Sequence, residues 1–127
     1  MTSNTVLILN EFKKGLISFF DELIEQFPEQ GDLVVIRILL KDQLPVTQIM
    51  NYFIANVLPE KQMVKERNQK FFTESNALFG LLGNDRANNL KNIWKSPKLD
   101  KDDRDVMWKW IDTFIMMVEK YQKNMEN

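Results

Sequence analysis

Along most of the chain apolar residues recur at spacings of three and four, the pattern of helices that bury one face. The first stripe runs Val6-Leu7-Ile8-Leu9, Phe12, Leu16, Phe19-Phe20, Leu23 and Phe27, with Lys13, Lys14, Glu22 and Glu25 on the other faces. Pro28 is expected to end that helix, because the residue before a proline is pushed out of the α region. A second run, Leu33–Leu40, is apolar on all sides apart from Arg37. Its β-branched content would suit a strand, but only Val6–Leu9 could partner one, so the run is read as a buried helix with Asp32 as its N-cap.

Pro45 opens the clearest stripe: Val46, Ile49, Met50, Phe53, Ile54 and Val57. Pro59 is expected to close it and to start a helix carrying Met63, Val64, Phe71 and Phe72, followed by a turn at Gly83-Asn84. Asp85 is read as the cap of a short helix bearing Ala87, Leu90, Ile93 and Trp94, which Ser96-Pro97 breaks. Asp100 then caps the last helix, with Asp103 in a capping-box relation. Val106, Met107, Trp110, Ile111, Phe114, Met117, Val118 and Tyr121 repeat along it, and the tail from Gln122 is expected to fray. The expectation is an all-α protein, an irregular bundle of about five to seven helices with a long C-terminal helix, in a single domain over residues 1–127.

Composition narrows the chemistry more than the fold. Of 127 residues, 44% are hydrophobic, and there is neither histidine nor cysteine. Disulfides, thiolate metal sites, Ser-His-Asp triads and Cys-His pairs are therefore excluded. No apolar run is long enough to span a bilayer, and the polar start of the chain does not read as a signal peptide. Carboxylate pairs remain, but Glu22, Glu25 and Glu29 read as a solvated helix flank. Gly80-Leu81-Leu82-Gly83 lacks the residues of a phosphate cradle. No enzyme activity, cofactor or metal is expected. The acidic group Asp100, Asp102, Asp103 and Asp105 fails as a calcium loop, since Arg104 and Asp105 occupy positions that need a ligand and a glycine.

Charge is uneven although the net value is −1. Residues 60–98 carry eight basic and four acidic side chains between two acidic flanks. Within that segment Arg86, Lys91, Lys95 and Lys98, with Trp94 beside them, form a candidate nucleic-acid face, and three of the lysines follow a three-to-four spacing. The opposing observation is that the chain carries no known nucleic-acid-binding motif. Trp108 falls off the main stripe of the last helix and is the candidate anchor for a protein partner, because tryptophan is enriched at interface hot spots. The same position is equally consistent with a helix buried on several faces.

Three stretches carry a resemblance: Asn10-Glu11-Phe12-Lys13-Lys14 through Asp21–Leu33, then Ile49-Met50-Asn51-Tyr52-Phe53, then Leu99–Asp103 leading into Val106-Met107-Trp108-Lys109-Trp110. Together they resemble short helical proteins encoded by giant nucleocytoplasmic large DNA viruses of algae and other protists, over nearly the whole chain. The resemblance implies a viral origin, expression in host cytoplasm, and a place in the virion or virus factory; it transfers no functional residue. The expected function is thus a non-enzymatic viral helical protein acting through protein–protein contacts, with capsid or other viral proteins as partners. The runner-up is nucleic-acid binding through residues 60–98. A third reading is a host-directed module that offers a groove to an amphipathic helix.

Overall fold

The computed structural model describes residues 2–126, and among these the chain is helical with no strand. The α-helices are α1 (Thr2–Gln26), α2 (Gly31–Ile38), α3 (Val46–Tyr52), α4 (Lys61–Lys65), α5 (Lys70–Thr73), α6 (Asn84–Lys95) and α7 (Lys101–Glu126). The all-α class and the long C-terminal helix are as the pattern predicts. The helices group into two compact units. One comprises Met1–Asn51 with Met116–Asn127, the other Tyr52–Ile115, so α7 contributes residues to each.

In the first unit α1 and α2 pack together. Phe12, Leu16, Phe19, Phe20, Leu23 and Phe27 of α1 and its end are buried, as are Leu33, Ile36 and Leu40. The ambiguous run is therefore a helix, with Leu33, Ile36 and Leu40 inward at helical spacing. Two expectations about it are corrected. The helix starts at Gly31 with Gln30 as the flanking residue, so Asp32 lies in the first turn and favours the helix dipole from inside. And it is not buried on all sides, since Val34, Val35 and Ile38 are exposed.

Two wide helical turns precede the prolines. Residues Leu39–Gln43 form a π turn closed by Leu44 N–H donating to Leu39 O at 2.7 Å, and Leu44 itself is extended, as the residue before Pro45 prefers. Residues Phe53–Val57 form a second, closed by Leu58 N–H on Phe53 O. Here the chain does not stop. Leu58 stays in the α region and Pro59 sits in a 3-10 turn, Leu58–Glu60, that leads into α4. A proline lacks the N–H for an i−4 bond and crowds that carbonyl; a widened turn ahead of it accommodates both. The break expected at Pro59 is thus a change of helix type.

A break that no residue announced separates α4 from α5. Arg67 N–H donates to Val64 O at 3.0 Å and Asn68 N–H to Met63 O at 2.9 Å, the bonds of a Schellman turn. Arg67 holds the left-handed position with φ 54°, which costs a residue with a Cβ about 1 kcal/mol. Gly83 supplies the other positive φ, 97°, and is the residue before α6, which displaces Asp85 from cap to first turn. Asp85 there still favours the dipole.

The start of α7 is as predicted. Asp103 N–H donates to Asp100 Oδ1 at 2.8 Å and Asp100 N–H to Asp103 Oδ2 at 3.1 Å, a reciprocal capping box. Replacing Asp100 with Ala should cost about 1 kcal/mol in urea unfolding, while Asp102→Ala, which loses only a first-turn dipole contribution, should cost less. Elsewhere the Tyr52 hydroxyl donates to Asn76 O at 3.0 Å and lies where a Cβ on Gly80 would have to go. Gly80→Ala should therefore lower Tm, and Tyr52→Phe in the same chain should restore most of the loss, since removing the hydroxyl clears the space.

Candidate functional site

The sequence-predicted site residues all fall in the Tyr52–Ile115 unit, and the structure assigns the two tryptophans among them to its interior. Trp108 is buried on α7, as are Met107, Ile111 and Ile115. It lies edge-on to Phe72 with ring centroids 4.7 Å apart and edge-on to Trp94 at 5.5 Å, with Phe71 at 6.2 Å. Phe72 in turn stacks on Trp94, 4.0 Å apart and 11° from parallel. Four aromatic side chains from α5, α6 and α7 thus form one cluster. The wide apolar arc of α7 is the mark of a helix buried on two sides, and Trp108 is a core residue with no exposed face to offer a partner.

Trp94 is corrected in the same way. It is 1% exposed, so it supplies no stacking surface for a base. Its indole Nε1 is buried with no hydrogen-bond partner. The basic residues grouped with it separate. Lys91 is half-buried and Lys95 exposed on α6, but α6 ends at Lys95 and Ser96 is extended before Pro97, so Lys98 lies beyond the helix and off its face. Arg86 is half-buried, its Nη1 3.4 Å from Leu82 O. What remains for an anion is a pair of lysines, not an aromatic-backed groove.

Two arginines that pattern alone did not single out organise this unit. Arg104 donates from Nε and Nη2 to Trp94 O at 3.1 and 2.8 Å, from Nη2 to Ser96 O at 3.2 Å and from Nη1 to Leu99 O at 2.7 Å. It thereby satisfies a carbonyl at the end of α6 and two in the following loop, with its charge at the negative end of the helix dipole. Its guanidinium carbon also lies 5.5 Å from the Trp94 ring centroid. Arg67 makes a two-pronged pair with Asp112, Nη1 to Oδ1 at 2.8 Å and Nη2 to Oδ2 at 2.6 Å, and sits 5.5 Å from the Trp108 ring. That anchorage explains why a non-glycine residue holds the left-handed position. The available signal was Asp112, in the middle of α7 and away from both helix ends, and it points to no particular arginine.

The acidic group near 100 is likewise used locally: Asp100 and Asp103 cap α7, and Asp105 accepts from Lys101 Nζ at 3.0 Å, one turn away. Among the described residues no three carboxylates converge as metal ligands. Tyr52, Arg67 and Lys101 are displaced from their ordinary values. Burial pushes the Tyr52 phenol up. The hydrogen bonds to Asp112 and Asp105 raise Arg67 and Lys101. All three move away from neutrality, so each keeps its ordinary protonation state at pH 7, and none is tuned as a general acid or base.

Comparison with known proteins adds no relative: no family model, no curated protein and no solved structure matches the chain. Among the described residues the exposed large apolar side chains are Val6, Leu7, Val34, Val35, Ile38, Val106, Met116 and Met125, and all of these but Val106 belong to the Met1–Asn51 and Met116–Asn127 unit. Three of them share one helix. On α2, Val34, Val35 and Ile38 are 43%, 41% and 45% exposed and lie at i, i+1 and i+4, on one side of the helix. The clue was present in the apolar-all-round run Leu33–Leu40; an eight-residue helix at the edge of a small unit buries one side only.

Burial of Trp108 has a direct consequence. Trp108→Ala should lower unfolding free energy by roughly 3–5 kcal/mol, the cost of emptying a core aromatic site. An exposed contact residue would leave stability within about 0.5 kcal/mol of wild type.

Proposed function

We propose that the protein acts without catalysis, through contacts with other proteins, and that its contact surface is the exposed apolar side of α2. The observation that carries this reading is the exposure of Val34, Val35 and Ile38 together on one short helix. Singly scattered exposed apolar residues are ordinary, whereas apolar residues grouped on one helix side are what contact surfaces are built from. Trp94 and Trp108 are core residues, so the aromatic hot spot sought in sequence is not the feature that supports it.

In the setting that the viral resemblance implies, the partner is another virus-encoded protein, a capsid component among the candidates, or a host protein met in the cytoplasm. The virion and the virus factory are the proposed locations. No helix among the described residues is long and apolar enough to cross a membrane. Nucleic-acid binding through residues 60–98 is the weaker reading, because burial of Trp94 removes the stacking half of that surface.

A photo-crosslinking side chain placed at Val35, with Lys109 as an exposed control, tests the proposal in cells that make the protein. Nuclease-resistant protein adducts at position 35 and not at 109 are the expected result. Absence of adducts at 35, or adducts that disappear with nuclease, would refute it.

A further inference from the structure

The side of α2 that carries Val34, Val35 and Ile38 has a charged border, and the border is predominantly acidic. Between positions 21 and 42 the chain holds six acidic side chains, Asp21, Glu22, Glu25, Glu29, Asp32 and Asp42, against two basic ones, Arg37 and Lys41. Their placement along α2 follows from one contact: Arg37 Nε donates to Asp21 Oδ1. Arg37 stands on the flank of α2, a quarter turn from Ile38, so this bond fixes where α1 runs beside it. Glu25, one turn after Asp21 on α1, then extends the acidic row along the same edge, and Glu29 lies exposed in the connection between the two helices. Asp32 in the first turn of α2 and exposed Asp42 in the π turn mark the two ends of the helix. Arg37 and Asp21 neutralise each other, which leaves Glu22, Glu25, Glu29, Asp32 and Asp42 against Lys41 at the far end.

We propose, resting on the contact reading above, that this side of α2 docks an amphipathic helix of a partner protein whose apolar stripe is flanked by lysines and arginines. The apolar stripe covers Val34, Val35 and Ile38, and the basic flanks face the acidic row of α1 and the α1–α2 connection. Charge decides among the possible occupants. An anionic membrane surface or a phosphate backbone meets like charge along the acidic edge. A second copy of this chain, paired about a two-fold axis, sets the same acidic border against itself. A basic helix alone gains from both the apolar patch and its rim, and the rim also selects against acidic helices with the same stripe.

Two synthetic helical peptides with one leucine stripe, flanked by Lys in one and by Glu in the other, provide the test by fluorescence anisotropy against the intact protein. The Lys-flanked peptide should bind at least about tenfold more tightly than the Glu-flanked one, and its affinity should fall as salt screens the rim. Ile38→Lys and, separately, Glu25→Lys should each weaken it by about tenfold or more with Tm unchanged, since both positions are exposed. Equal binding of the two peptides, binding untouched by Ile38→Lys, or no binding of either would overturn the proposal. So would self-association of the protein alone that Ile38→Lys abolishes. The broader contact reading fails separately, on the crosslinks at Val35: adducts there without peptide binding leave a protein partner of other chemistry, and peptide binding without adducts leaves the surface without a partner in the cell.

Discussion

Burial of the Trp94 indole between Phe72 and Trp108 is the constraint on which the Tyr52–Ile115 unit depends. Helix α5 has only four residues, too short to persist in water on its own helix-forming tendency, and it is held because Phe71 and Phe72 are buried in the cluster. Helix α6 is held through Trp94, and Arg104 completes the arrangement by donating to the carbonyl of that same residue and to two more in the following loop. The left-handed turn at Arg67 belongs to the same system. Its guanidinium reaches Asp112, one turn of α7 beyond Trp108, and lies against the Trp108 ring. Ring stacking, a capped helix end and a strained turn thus converge on two tryptophans, and the strain persists because its surroundings over-determine it.

This has a functional corollary. A protein with no histidine or cysteine has few ways to do chemistry, and its most interaction-prone side chains are largely committed to its own packing. The surface that remains is defined by contrast. The unit containing α1 and α2 exposes aliphatic side chains on a short helix and surrounds them with carboxylates; the other unit exposes charge and pairs much of it within itself, as Arg67 with Asp112 and Lys101 with Asp105. Recognition of another protein calls for an apolar centre and a polar rim that rejects wrong partners. Among the described residues α2 and its border supply that combination.

Much of the architecture was legible because its causes are local. The stripe from Phe12 to Phe27, the stop at Pro28, and the capping box at Asp100 and Asp103 depend on residues within a turn or two of one another. What sequence pattern missed depends on residues far apart. The turn at Arg67 is stabilised by Asp112, 45 positions on, and nothing in the neighbourhood of Arg67 marks it. Pro59 was misread as a stop because the π turn that accommodates it has no composition of its own. Trp108 was ambiguous for a related reason: a position off the main stripe of a helix is exposed if the helix has one neighbour and buried if it has two, and periodicity does not count neighbours. The outward side of α2 was hidden inside an apolar run whose helical nature was clear but whose partners were not.

The aromatic cluster and the turn at Arg67 both depend on the two tryptophans being interior. Intrinsic fluorescence of a Trp110→Phe variant, in which only Trp94 and Trp108 emit, measures it directly, with acrylamide as the quencher. The expected result is emission well to the blue of indole in water and quenching that becomes efficient only on unfolding. Emission at the wavelength of solvated indole, with strong quenching in the folded protein, would contradict the account.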